Sequence, residues 1–297
     1  MKMKLSSKDI GFDVVNHVVL LLFTAICLYP FYYIFLYSIS DGLAASKGLV
    51  VFWPVNADFS SYVKLLSKKD VLDAAFISAS RTVIGTSVTV LCSSYLAYVL
   101  STEDLPFKKI IYRYVIITMY VSAGLIPWYI TMKSLGLKNN FLLYVLPSAI
   151  GAFYIILIKT YMEQLPKSLE ESAKIDGAGV FTIFFKIILP ISIPIIATVT
   201  IFSAIYQWNS WQDNLYLVNK KELSTLQFLL YNYMNSSMAT GDVTRMKAMN
   251  MVANAKQVNS MTLKMTMSMV TVIPILLVYP IMQKYFIKGI MLGAVKG

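Results

Sequence analysis

Residues 14–39 read VVNHVVLLLFTAICLYPFYYIFLYSI, a stretch without a single Asp, Glu, Lys or Arg. A helix needs about 20 mostly apolar residues to cross the hydrocarbon core of a bilayer. In lipid every backbone N–H and C=O has to pair within the protein, so an isolated block of this kind has to be helical. The stretch therefore predicts a membrane-spanning helix, and with it an integral membrane protein.

The rest of the chain repeats this pattern. Of the 297 residues, 57% are hydrophobic and 14% are charged, against roughly 45–50% and 25% in an average soluble domain. Short alternating segments of about 10 residues, which a membrane β-barrel requires, are absent. We predict an all-α, polytopic membrane protein with about six transmembrane helices and a short cytoplasmic helix. The predicted spans are about 14–39, 74–100, 110–132, 141–158, 187–208 and 265–286.

These spans divide the chain into a cytoplasmic N-terminal tail (1–13), a transmembrane domain (14–288) and a cytoplasmic C-terminal tail (289–297). The orientation comes from the lysines and arginines, which favour cytoplasmic loops. Thirteen of the 26 basic residues fall in the 69 positions of the predicted inner segments, and 12 fall in the 98 positions of the outer ones. The bias predicts that both termini are cytoplasmic.

The net charge of +11 is compatible with this arrangement, since basic residues beside the spans would face lipid headgroups. No basic run is long enough to follow a phosphate backbone, so nucleic acid is not an expected partner. The long outer loops, 40–73 and 209–264, should carry short surface helices, one of them within the amphipathic stretch 223–234. Cys27 and Cys92 lie in apolar blocks, and we expect both to be buried.

Between spans four and five the chain reads LPKSLEESAKIDGAG, residues 165–179. Pro166 suits the first turn of a short helix. Glu170 and Lys174 have the spacing of a favourable helical ion pair. Gly177 can adopt the left-handed conformation that ends a helix. Leu169, Ala173 and Gly177 form one small-sided stripe, which would let another surface approach the backbone closely.

The same segment resembles the signature loop of ABC importer permeases, Glu-Ala-Ala-x3-Gly-x9-Ile-x-Leu-Pro. The match departs from that pattern only at Ser172, a small residue in place of the middle alanine. The resemblance implies that the loop docks as a coupling helix into a cleft of a separate ATPase subunit. The residues it implies for ATPase coupling are Glu171, Ser172, Ala173, Asp176, Gly177, Ile187, Leu189 and Pro190.

Two further segments resemble carbohydrate-uptake permeases related to the second permease of the maltose importer. They are the Trp208-Asn209-Ser210-Trp211 segment and the tail from Tyr279 to Gly297, and the tail is most similar to a branch for polysaccharides and complex oligosaccharides. Aromatic faces pack on sugar rings, and amides pair with hydroxyls. Trp208, Asn209 and Trp211 are therefore possible substrate-pathway residues. The alternative is that these tryptophans only anchor the membrane interface.

The resemblance also implies the location, a bacterial cell membrane, and the partners: a homologous second permease in a heterodimer, two ATP-binding cassette ATPase subunits, and an extracellular or periplasmic sugar-binding protein that delivers an oligosaccharide. The chain has no Gly-x4-Gly-Lys-Ser/Thr loop. We therefore expect no cofactor in this chain, with ATP and Mg on the separate ATPase subunits. We expect no catalytic and no metal-binding residues, so the chain is not an enzyme.

Two alternatives belong to other classes. An ion-coupled secondary transporter or channel would place ionisable groups deep in the membrane, and Arg81 is the main residue of that kind in the predicted spans. A membrane enzyme would need paired carboxylates, a metal cluster or a nucleophile with its base. The single histidine and the lack of a clustered acidic motif argue against the enzyme.

Overall fold

The computed structural model describes residues 7–235 and 260–294. Within these ranges it contains helices, turns and irregular segments but no β-strand, so the predicted all-α class is confirmed. The chain divides into two compact units. One comprises residues up to 68 together with 233–272, and the other comprises 69–232 together with the chain from 273 onward.

The first unit contains helices α1 (Ser7–Ser38), α2 (Gly42–Ser46) and α3 (Ser60–Leu66). Its small core lies at the end of α1, where Leu36 and Tyr37 pack with Ala45 and Val50. Between Gly11 and Leu28 the side chains of α1 are exposed on this chain, although they are strongly apolar. The two short helices in the 40–73 loop confirm the surface helices expected there.

The second unit is built on α4 (Lys69–Ser101), which packs against α7 (Ala152–Met162) and α11 (Ile193–Asn209). The buried side of α4 is formed mainly by small residues: Ala74, Ser78, Gly85, Thr86, Thr89, Ser93, Ser94 and Ala97. Small side chains let membrane helices approach closely, where packing and hydrogen bonds replace the hydrophobic effect. The short side chains of α4 thus explain how it can pack closely against both α7 and α11.

Shorter helices complete this unit. They are α5 (Lys108–Tyr120), α6 (Leu125–Ser134), α8 (Ser168–Ile175), α9 (Val180–Ile183), α10 (Leu189–Ile191), α12 (Gln212–Leu217) and α13 (Leu226–Asn235). The short 3-10 turns are Phe141–Tyr144, Leu146–Ser148 and Lys221–Leu223, and a π-turn covers Phe184–Ile188. Helix α13 confirms the helix expected within 223–234. Its residues from 233 onward belong to the first unit.

Three of the predicted spans are bent rather than continuous. The helix axis bends by 117° between α5 and α6, by 45° before α7, and by 84° before α11. Gly124, at φ +82°, turns the chain at the first break. Pro190 and Pro194 flank the third break, and proline removes a helical hydrogen bond and clashes with the preceding turn. By length and composition, three helices can span a membrane, or six if each bent pair counts as one span.

The last helix, α14 (Ser260–Ala294), extends beyond the predicted end of span six at residue 286. Residues 1–6 of the predicted N-terminal tail, 236–259 of the second outer loop and 295–297 of the C-terminal tail lie outside the described residues. The expected burial of Cys27 and Cys92 is wrong, because both are exposed. A helix in lipid has an apolar outer surface, so an apolar block does not tell the core side from the lipid side.

Candidate functional site

Helix α8 occupies the segment that the signature loop singled out. Glu170 and Glu171 lie in its first turn, where carboxylates interact favourably with the helix dipole. Its C-terminus closes as a Schellman motif, in which Ala178 N donates to Ala173 O at 2.9 Å and Gly177 N donates to Lys174 O at 3.0 Å. Gly177 has φ +79°, so the predicted left-handed cap is confirmed.

The two faces of α8 have different environments. Ala173 is only 7% exposed and packs into the main core of the second unit, which includes Tyr98 and Phe184. Of the predicted stripe, Ala173 thus faces the chain's own core, whereas Leu169 and Gly177 are exposed. Glu171, Ser172, Asp176 and Gly177 lie on the exposed part of the segment. Beside them, Ile175 is 86% exposed, an unusual position for a large apolar side chain in a charged helix.

Ion pairs attach α8 to the loop after α4. Lys167 Nζ bonds to Glu103 Oε1, and Lys174 Nζ lies 3.1 Å from Asp104 Oδ2. Lys174 also lies 3.2 Å from Glu170 Oε1, which confirms the predicted i,i+4 pair. The bond from Lys167 lowers the pKa of the Glu103 carboxyl, and the bonds to Asp104 and then Glu170 raise the pKa of the Lys174 ammonium.

The chain that leaves α8 is packed on α4 by aromatic rings. Tyr95 on α4 stacks on Phe181 with ring centroids 5.2 Å apart, and Tyr98 stacks on Phe184 at 5.5 Å. Ile187 and Leu189 are partly buried against the same core, and Pro190 lies in the short helix α10. Ion pairs therefore hold α8 to the loop after α4, and aromatic packing holds the segment that follows α8 against α4.

A cavity of about 980 Å³ lies elsewhere in the second unit. Sites for small organic ligands occupy roughly 300–1,000 Å³. Five aromatic side chains contribute to its wall: Trp128, Tyr144, Tyr154, Tyr206 and Tyr216. Uncharged polar side chains contribute too: Thr89, Thr118, Ser122, Thr131, Ser148, Ser203, Ser210 and Gln212. Aromatic faces beside hydroxyl and amide groups form a surface suited to sugar rings.

One buried ion pair lies in this wall. Arg81 donates to Asp213 through both ends of its guanidinium, from Nη1 to Oδ1 at 3.1 Å and from Nη2 to Oδ2 at 2.5 Å. Arg81 Nε donates to Gln207 Oε1 at 3.0 Å, and the Tyr144 ring covers the guanidinium at 4.6 Å. Gln207 Nε2 donates in turn to Ser148 Oγ at 2.7 Å. Together with Gln207, the pair thereby connects four elements: α4, α11, α12 and the 3-10 turn Leu146–Ser148.

The three predicted pathway residues lie next to this cavity in sequence but not in its wall. Trp208 is half-buried, and Asn209 is exposed at the end of α11. Trp211 stacks on Tyr231 with ring centroids 4.3 Å apart. The wall instead contains their neighbours Tyr206, Ser210, Gln212, Asp213 and Tyr216. In the sequence, Arg81 was the residue that could have indicated this cavity, since a charged residue within a span marks a functional site by default.

Several known proteins are similar to this chain in sequence and in fold. Residues 89–292 match the family described as the binding-protein-dependent transport system inner membrane component. The chain belongs to this family. It is therefore a membrane permease of a binding-protein-dependent transport system, and the family resemblance predicted from its signature loop is confirmed.

Two curated relatives come from Bacillus subtilis (strain 168). The permease is 37% identical to the polygalacturonan/rhamnogalacturonan transport system permease protein YtcP, over 96% of this chain and 98% of the relative. It is 33% identical to Protein LplC, over 96% of this chain and 95% of that protein. The permease also superposes on a chain of a bacterial ABC transporter involved in the import of the acidic polysaccharide alginate. That match has a TM-score of 0.85 and 31% identity, and it covers 96% of this chain and 100% of the other.

Proposed function

We propose that the permease forms half of the translocation pathway of an ATP-driven importer, and that its substrates are acidic oligosaccharides released from uronate-containing polysaccharides. The observation that carries this proposal is the cavity in the second unit, whose wall combines five aromatic rings with hydroxyl and amide groups. Sugar rings offer flat C–H faces and a rim of hydroxyls, which such a wall can contact at the same time.

The relatives support the acidic class of substrate. One is named for polygalacturonan and rhamnogalacturonan, and the solved structure belongs to a transporter for the acidic polysaccharide alginate. Both cover nearly the whole of this chain at more than 30% identity. Oligosaccharides cut from uronate polymers carry one carboxylate on each uronate residue. The proposed substrate is therefore a short sugar chain with several negative charges.

The energy for transport is proposed to enter through α8. Glu171, Ser172, Asp176 and Gly177 are exposed and available to an ATPase subunit, together with Ile175. Ala173 packs inward, and Ile187, Leu189 and Pro190 connect the segment to α11. A segment held by ion pairs and aromatic packing on α4 can pass a movement of the ATPase to the helices that surround the cavity.

The proposed complex contains a second, homologous permease, two ATPase subunits that hold ATP and Mg, and a binding protein outside the cell. In this arrangement the permease performs no chemistry itself, and both of its termini are cytoplasmic. Transport then proceeds by alternating access. Binding of ATP and its hydrolysis shift the permease pair between outward-open and inward-open states, because each state interacts differently with the ATPase.

The test is uptake by the complete complex in proteoliposomes, with the ATPase sites inside and the binding protein outside. We expect uptake of a labelled galacturonate trimer that requires ATP, and no uptake with an ion gradient alone. The matched control is a Gly177→Pro variant, which cannot adopt the left-handed cap at φ +79°. Uptake that follows the ion gradient without ATP would refute the ATP-driven mechanism and favour a secondary transporter.

A further inference from the structure

The cavity wall has a balanced charge. Among the described residues that line it, Arg81 and Asp213 are the charged ones, and they are paired with each other. The proposed substrates carry several carboxylates, so a wall with unpaired cations would be the simplest way to attract them. The structure has a different arrangement, in which each charge at the wall is compensated within the protein.

The geometry leaves little of the arginine for a ligand. Both terminal nitrogens of Arg81 bond to the Asp213 carboxylate, Nη1 also donates to Ser210 O at 3.2 Å, and Nε donates to Gln207. Tyr144 covers one face of the guanidinium. The side chains of Arg81 and Asp213 are 3% and 11% exposed. A substrate carboxylate could reach the guanidinium only by displacing a bidentate, charge-assisted partner.

We propose that Arg81 and Asp213 set the charge selectivity of this permease. Paired, they keep the wall neutral, so that a sugar chain passes whether or not its carboxylates are charged. This inference rests on the proposed transport of oligosaccharides. It differs from a purely architectural role, because architecture alone would affect charged and uncharged sugars equally.

Removal of one partner leaves the other charge buried and uncompensated, and charges in such a position interact more strongly than in bulk water. In Arg81→Gln the wall becomes negative and repels uronate carboxylates. In Asp213→Asn it becomes positive and attracts them. In the double variant Arg81→Gln/Asp213→Asn the wall is neutral again. Arg81→Lys keeps the charge but loses the planar two-point fork.

The experiment compares two probes of equal length in the reconstituted complex: a galacturonate trimer, and the same trimer with its carboxylates methyl-esterified. The readout is the ratio of the two uptake rates, so a general loss of activity cancels. Relative to the unmodified permease, we expect the acid-to-ester ratio to fall about tenfold in Arg81→Gln and to rise in Asp213→Asn. It should return to the original ratio in the double variant and stay unchanged in Arg81→Lys.

Three results would overturn the inference. If the ratio is the same in every variant while uptake of both probes falls, the pair is only architectural. If the ratio falls in Arg81→Gln and stays low in the double variant, Arg81 binds the carboxylate directly. If the unmodified permease transports neither probe, the proposed function fails, and the inference fails with it. Should Arg81→Gln not insert in the membrane, Asp213→Asn and the double variant still decide, since their predicted ratios differ.

Discussion

At the scale of single residues, Gly85 shows how closely the helices of the second unit approach. A Cβ built at Gly85 would lie 2.7 Å from Cδ of Gln207, well inside van der Waals contact. The Gln207 amide is held between Arg81 Nε at 3.0 Å and Ser148 Oγ at 2.7 Å. It cannot move aside without losing at least one of these hydrogen bonds. The absence of a side chain at position 85 is thus a condition for the buried network around Arg81.

We expect Gly85→Ala to destabilise the purified permease by about 1–2 kcal/mol, although alanine is the better helix former by about 1 kcal/mol. Thermal unfolding in detergent would measure this change as a lower midpoint. The control is Gly11→Ala in α1, where nothing lies within 4 Å of the added methyl group. Equal midpoints for Gly85→Ala and the unmodified protein would contradict the close approach.

A second prediction concerns two aromatic residues of α11. Tyr206 lines the cavity, whereas Trp208, two positions further along, does not. Tyr206→Ala should therefore raise the substrate concentration needed for half-maximal uptake several-fold, because it removes a contact surface for a sugar ring. Trp208→Ala is the matched control and should have a smaller effect. A larger effect of Trp208→Ala would support the sequence-based prediction that Trp208 lies on the substrate pathway.

At the scale of elements, α8 is the clearest example of a structure held by its surroundings. A helix of eight residues is too short to be stable alone in water. Ala173 packs it onto the core, Lys167 and Lys174 attach it to the loop after α4, and the Tyr95–Phe181 stack packs its exit onto α4. A short helix attached in this way can move only together with the element that holds it.

The ion pair between Lys174 and Asp104 permits a charge-exchange test. Lys174→Glu places three carboxylates together, with Asp104 and Glu170, so we expect it to reduce ATP-dependent uptake several-fold. An exposed pair contributes only about 0.2–1 kcal/mol, so the thermal midpoint should change little. Adding Asp104→Lys restores opposite charges across the contact and should recover part of the uptake. No recovery in the double variant would mean that Lys174 acts on the ATPase and not on Asp104.

The pH dependence of this attachment follows from the pKa shifts. The bond from Lys167 lowers the pKa of Glu103 from its usual 4.5. The stabilisation of the α8 attachment by this pair is therefore complete above pH 4.5 and is lost as the pH falls through the lowered pKa. The pKa of Lys174 is raised from 10.5. The stabilisation of the attachment by the Lys174 pairs is therefore complete below pH 10.5 and is lost as the pH rises through the raised pKa. The attachment should therefore be constant between these limits.

A nitroxide label at Ile175→Cys, in a Cys27→Ala/Cys92→Ala background, can follow the attachment, since this position is 86% exposed. We expect unchanged label mobility around neutral pH and greater mobility once the pH falls below the usual Glu103 value of 4.5. The matched control is the same label in a Glu103→Gln variant, which lacks the pair with Lys167, so its mobility should already be higher near neutral pH and should change less on acidification. A transition near neutral pH would show that other groups hold α8.

At the scale of the whole molecule, the proposed orientation places α8 inside the cell and the 209–264 loop outside. Membrane-impermeant thiol reagents test it in the same cysteine-free background. Asp176→Cys should react only after the membrane is permeabilised, whereas Asn219→Cys should react in intact cells. Both positions are exposed on the chain. Reaction of Asp176→Cys in intact cells would overturn both the orientation and the proposed ATPase contact.

The sequence alone determined the class of this protein, because long blocks without charge can be stable only as helices in lipid. It also determined the cap at Gly177 and the ion pair between Glu170 and Lys174, since both depend on neighbours within two turns of a helix. The signature spacing from Glu171 to Pro190 identified the family for the same reason: the constraint is local and has a fixed register.

Only the tertiary structure decided which face of each element meets another. Ala173 packs inward, and Tyr206 and Tyr216 line the cavity whereas Trp208, Asn209 and Trp211 do not. The pairing of Arg81 with Asp213 joins residues that are 132 positions apart. Periodicity in a membrane helix does not reveal this, because lipid and the protein core are similarly apolar. The contacts of buried polar groups therefore had to come from the packing of the helices.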